Sequence, residues 1–90
     1  MISQTVTVQN PLGIHARPAA LLVQESSKFA GEIYFSKEDV ARINGKSIMG
    51  VMMLAAEQGA EITIEAEGVG AEEAVAALAR LLQSNFEEKA

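Results

Sequence analysis

The stretch EITIEAE, Glu61 to Glu67, alternates without a break: Ile62, Ile64 and Ala66 fall on one side, and Glu61, Thr63, Glu65 and Glu67 on the other. A period of two is that of a strand. A strand that is apolar on one face and charged on the other belongs to a sheet with one face buried and one in water. Purely parallel sheets are covered on both faces, so this pattern selects an antiparallel sheet with its helices stacked on the apolar side.

The remaining segments supply the partners such a strand needs. ISQTVTV places Ile2, Gln4, Val6 and Val8 on one face of a first strand, and NPLG, Asn10 to Gly13, matches a type I turn. From Ala16 the period changes, and Ala19, Leu22, Val23, Ser26 and Phe29 recur at three-to-four spacing until Gly31, a helix with Pro18 in its first turn. EIYF puts Ile33 and Phe35 on one side of a second strand. VARI reads as a third, with Val40 and Arg42 opposite Ala41 and Ile43. Ser47 is placed to cap a short helix carrying Ile48, Val51, Met52 and Ala55, in which Gly50 costs about 1 kcal/mol relative to alanine. The Asn44-Gly45 pair leaves a hairpin into another strand as the alternative. After EITIEAE, a last helix lines up Ala74, Val75, Leu78, Leu81 and Leu82, with Glu72 and Glu73 at its positive end.

The element order is therefore βαββαβα, and the expected fold is α+β. It is an open-faced β-sandwich, a four-stranded antiparallel sheet with three helices on one face. Ninety residues leave room for one domain, spanning 1–90. Three Phe, one Tyr and no Trp leave its core to Ile, Val, Leu and Met. Without cysteine there is neither a disulfide framework nor a thiolate metal site, and one histidine makes no transition-metal set, so no metal or cofactor is expected. Seven basic against twelve acidic residues, a net charge of −5, disfavour nucleic acid. A start with neither a basic stretch nor an apolar run, and no long apolar segment, point to a cytoplasmic protein without membrane insertion. GVG, Gly68 to Gly70, lacks the remaining glycine of a dinucleotide fingerprint and reads as a turn. Glu87 and Glu88 read as a solvated tail.

The single histidine, His15, lies between the glycine turn and the expected helix start, beside backbone N–H groups that a first helical turn leaves unpaired. Anions are favoured there. Arg17 adds a permanent charge with donors suited to phosphate oxygens, and Pro18 has no N–H, so backbone donation falls to Ala16 and Arg17. A neutral imidazole facing an anion pocket is a nucleophile placed to accept a phosphoryl group. Read alone, one histidine near one arginine is more often a bland loop residue.

LGIHARPAALLVQ, Leu12 to Gln24, resembles the active-site segment of the HPr family, the histidine-containing phosphocarriers of the bacterial phosphoenolpyruvate-dependent phosphotransferase system, and the likeness extends over essentially all 90 residues. The resemblance implies that His15 carries the phosphoryl group on Nδ1 with help from Arg17. It also implies receipt from enzyme I and delivery to enzyme IIA domains, the chain being more a relay than a turnover enzyme. KSIMGVM, Lys46 to Met52, is similar to the regulatory serine region of the same family, which implies Ser47 as acceptor for an ATP-dependent HPr kinase/phosphorylase. Ile48, Met49, Val51 and Met52 cannot all point inward on a short helix, and the exposed members are expected to form an adaptable docking patch, with Gly50 allowing close approach. A carrier visited by several partners is expected to be a monomer. The ending SNFEEKA and the alanine-rich last helix are similar to the nitrogen-related branch, whereas KSIMGVM points to the sugar branch. A mainly regulatory interaction module working through Ser47 is the alternative from a different class.

Overall fold

A computed structural model describes residues 1–86; Glu87 and Glu88, read above as a tail, lie outside the described residues. The elements follow in the order β1 (Ile2–Thr7), α1 (Ala16–Ser27), β2 (Glu32–Lys37), β3 (Val40–Asn44), α2 (Ile48–Met53), β4 (Glu61–Glu67) and α3 (Ala71–Leu82). The four strands form one antiparallel sheet in the order β1-β4-β2-β3.

β4, the segment with the cleanest alternation, sits inside the sheet between β1 and β2, where a two-faced pattern has most to bury. Its register sets Ile62 opposite Val6, Ile64 opposite Phe35 and Ala66 opposite Ile33, and all of these side chains are buried. Against this layer α3 packs over β1 and β4, while α1 packs on α2 and α3. Leu22 from α1, Val51 and Leu54 from the α2 region, and Val75, Leu78 and Leu82 from α3 complete the core. The opposite sheet face is polar: Thr5 and Thr63 hydroxyls meet at 2.9 Å, and the Arg42 guanidinium lies 4.3 Å from the centre of the Tyr34 ring and 3.6 Å from Glu65.

Three differences from the periodic pattern have local causes. Ile2 and Gln4 share the inward face of β1 but are exposed, because the helical layer covers this edge strand only around Val6 and Val8. In β3 the expected alternation of Val40 and Arg42 against Ala41 and Ile43 does not hold. Val40 and Ile43 both pack on the core, since Arg42 adopts a left-handed backbone (φ 49) and the register shifts between Phe35 and Lys37. A bulge of this kind inserts one residue and resets the inward side; the Arg42 amide donates to Ser36 Oγ at 2.9 Å instead of to the ladder. The first helix closes at Ser27, before Gly31, through tight i→i+3 bonds from the Lys28 and Phe29 amides.

Beyond α3 the chain turns back at Phe86, which has φ 55 and is fully buried. Its amide donates to Ser84 Oγ, which in turn donates to the Leu81 carbonyl. Nothing periodic in SNF announces this core residue.

Candidate functional site

The loop before α1 is built on Asn10. Its carbonyl accepts the Gly13 amide at 2.9 Å, closing the four-residue turn, and its Nδ2 donates to the Gly13 carbonyl at 2.8 Å. The Asn10 side chain is buried, so the turn is clamped from inside the protein. At the third turn position Leu12 is exposed. Gly13 has φ +70, and a Cβ there would lie 2.5 Å from the Ala56 carbonyl oxygen, so both backbone angle and space require glycine. The next residue, Ile14, is buried and its amide donates to that same carbonyl at 2.9 Å. The turn is thus seated against the segment that follows α2.

His15 comes next, exposed, as the extended N-cap residue of α1. Its carbonyl accepts the Ala19 amide at 2.9 Å, the first bond of the helix. Ala16 and Arg17 occupy the first two helical positions, where the N–H groups have no intrahelical acceptor, and both are exposed. Pro18 at the third position has no N–H and is buried, pinning the first turn to the protein body. The structure therefore brings His15, the Ala16 and Arg17 amides and the Arg17 side chain onto one helix end, on the solvent side. An imidazole there is reachable by another protein, and the dipole behind it favours the oxygens of an incoming phosphoryl group.

Ser47 is the N-cap of α2, its Oγ accepting the Gly50 amide at 3.1 Å, which settles the choice between helix and hairpin after Asn44-Gly45. Lys46, just before it, donates from Nζ to the Phe29 carbonyl at 2.6 Å and ties α2 to the far end of α1. Of the four residues expected in the docking patch, Ile48, Met49 and Met52 are exposed, but Val51 is fully buried and is removed from the patch. The helix has one inward side, and Val51 with Leu54 takes it. Met53, which the pattern did not single out, is exposed in its place. Gly50 serves the fold: a Cβ there would stand 2.7 Å from Ile43 Cγ2, so it admits α2 close to β3.

Sequence reasoning passed over Met53, Leu12 and the inward clamp of Asn10. The Asn-x-x-Gly spacing is the signal for the last; the exposure of the other two has no local signature. Among the described residues no group of three or more His, Cys, Asp or Glu side chains is placed to hold a metal, and no helix is long and apolar enough to cross a membrane.

The family model for the PTS HPr component phosphorylation site matches residues 2–84, a span that contains His15, Arg17 and Ser47. The chain belongs to the HPr family. Within that family it is 47% identical over 89 residues to the phosphocarrier protein HPr of Treponema pallidum, covering 99% of this chain and 100% of the relative. Its fold is similar to the crystal structure of HPr from Thermoanaerobacter tengcongensis, with a TM-score of 0.90, 44% identity and full coverage of both chains. It is also similar to Crh of Bacillus subtilis, a catabolite repression protein whose crystal structure is a domain-swapped dimer, with a TM-score of 0.73, 41% identity and coverage of 94% and 97%. The four-stranded antiparallel sheet with three helices is thus the HPr fold, and a general phosphocarrier role in the phosphotransferase system follows from membership.

Proposed function

We propose that this HPr-family chain accepts a phosphoryl group on Nδ1 of His15 from enzyme I and passes it to enzyme IIA domains. The observation that carries the reading is the exposed imidazole at the N-cap of α1, ahead of the Ala16 and Arg17 amides and a proline that donates nothing. In the transfer the imidazole lone pair attacks phosphorus as the bond to the donor breaks, and no other group is consumed. The phosphoryl oxygens, which carry the charge, are held by the two amides and by the Arg17 guanidinium. Delivery to enzyme IIA is the same exchange in reverse, and an exposed loop suits both encounters. Ile48, Met49 and Met52 supply the apolar part of the docking surface, seated beside the histidine loop through the Ile14 to Ala56 bond.

Ser47 is proposed as the acceptor for an HPr kinase/phosphorylase. A phosphate there would put close to two negative charges beside exposed methionines, and partners would feel it more than the fold. Likeness to Crh favours, as second reading, a protein whose main output is regulation through Ser47. The circuit, sugar or nitrogen-related, is read from which branch's enzyme I phosphorylates the chain faster. The protein is proposed to work in the cytoplasm as a monomer, to be checked by cell fractionation and by sedimentation, since a relative forms a swapped dimer.

Incubation with phosphoenolpyruvate and enzyme I is expected to label His15 in an acid-labile form, and ATP with the kinase to label Ser47 in an acid-stable form. His15→Ala abolishes the first label and keeps the fold; Arg17→Ala slows it without abolishing it. Labelling of Ser47 alone would remove the carrier reading and leave the regulatory one.

A further inference from the structure

Every methionine of the chain is exposed: Met1 at 64%, Met49 at 72%, Met52 at 43% and Met53 at 66% of the full side. That is an unusual use of the residue, since a flexible thioether ordinarily fills core gaps. Three of the four stand on α2 at spacings of three and four, which places them on one side of the helix, while Val51 and Leu54 hold the other side in the core. The chain has no cysteine, so these thioethers are the softest groups it offers to an oxidant.

We propose that α2 is a methionine-oxidation site, at which a peroxide converts Met49, Met53 and Met52 to sulfoxides and reversibly weakens phosphoryl transfer with protein partners. It rests on the docking role of α2 proposed above. In the reaction the sulfur lone pair attacks one peroxide oxygen, the S–O bond forms as the O–O bond breaks, and hydrogen peroxide leaves as water. Sulfur is oxidised by two electrons and the peroxide reduced by two. Each sulfoxide turns an apolar, adaptable side chain into a strongly polar one on a surface that must shed water to dock. Because none of the three side chains helps fill the core, the fold withstands a change that would disrupt a buried methionine. Solvent exposure also leaves the product open to methionine sulfoxide reductases, so the modification is a switch and not damage.

The test treats the full chain with hydrogen peroxide, maps sulfoxides by peptide mass spectrometry, and measures two rates. One is phosphorylation by enzyme I; the other is phosphorylation of His15 by phosphoramidate, a small donor that needs no docking surface. Oxidation is expected first at Met49 and Met53. KM for enzyme I should rise by about tenfold, with the phosphoramidate rate and the thermal midpoint unchanged, and the reductases should restore KM. An unchanged KM with sulfoxides mapped to α2, or failure of the reductases to restore it, overturns the proposal. In a Met49→Leu, Met52→Leu, Met53→Leu variant, whatever KM the untreated protein has must survive peroxide. A rise there would assign the effect to Met1 and overturn the role of α2. The corresponding triple glutamine variant separates the two readings. If glutamine leaves KM unaltered the docking role itself fails, whereas if glutamine raises KM and oxidation does not, only the oxidation site falls.

Discussion

The amide of Ile14 donates to the carbonyl of Ala56 across 2.9 Å, joining the residue before the candidate phosphoryl acceptor to the chain just after α2. Both residues are buried, and the bond sits where Gly13 also touches the Ala56 carbonyl. The contact seats the histidine loop against the segment that follows the methionine-bearing helix, although the two lie far apart in sequence.

Gly13→Ala should break that seat. The left-handed backbone and the missing space act together, and a loss of about 2–4 kcal/mol is expected in urea unfolding. Enzyme I labelling of His15 should slow as well, because the turn that aims the histidine must shift. A variant of wild-type stability would show that the loop accommodates the methyl group and that the contact does not hold it.

Ser47→Ala removes the hydroxyl that accepts the Gly50 amide. About 1 kcal/mol of stability should go with it, together with any acid-stable label from ATP and the kinase. Ser47→Asp keeps an N-cap acceptor and adds charge, so thermal unfolding should stay near wild type while KM for enzyme I rises.

Val51→Ala and Met52→Ala are neighbours with opposite expectations. The fully buried Val51 should cost about 2 kcal/mol in chemical denaturation with little change in transfer rate measured on the folded fraction. The exposed Met52 should leave stability within about 0.5 kcal/mol and act on KM for partner proteins. Exchange of these two outcomes would reverse the assignment of inward and outward sides on α2.

Ser26 is buried in α1 with no hydrogen-bond partner for its hydroxyl among the described residues. Ser26→Ala should therefore be neutral or stabilising by up to about 1 kcal/mol, since the hydroxyl loses its water on folding and gains nothing. A clear loss in calorimetry would mean that the oxygen is satisfied.

Much of this was readable residue by residue. The turn at Asn10 to Gly13, the helix opening after His15, the inward side of β4 and the cap at Ser47 are all local patterns, and each is where the spacing put it. On α3 the stripe holds at Val75, Leu78 and Leu82, while Ala71 and Ala79 are buried and Ala74 and Leu81 only half-buried. VARI is the strand its pattern implies, but its inward side differs from simple alternation because a bulge at Arg42 depends on how β3 meets β2, which no window of one strand contains. KSIMGVM was read half rightly: the helix is there, but an apolar run with nearly every position alike has no periodicity to say which side is covered. Phe86 escaped for a related reason, being a core residue outside any periodic element.

By itself the sequence determined the kinds and order of the elements and the placing of one imidazole at a helix start, because turns, caps and amphipathic periods rest on bonds within a few residues. Only the tertiary structure decided that Val51 is core while Met53 faces water, that Asn10 clamps its turn from within, and that the histidine loop lies against the end of α2. Burial is a property of two surfaces meeting, and the partner of each surface lies in another part of the chain.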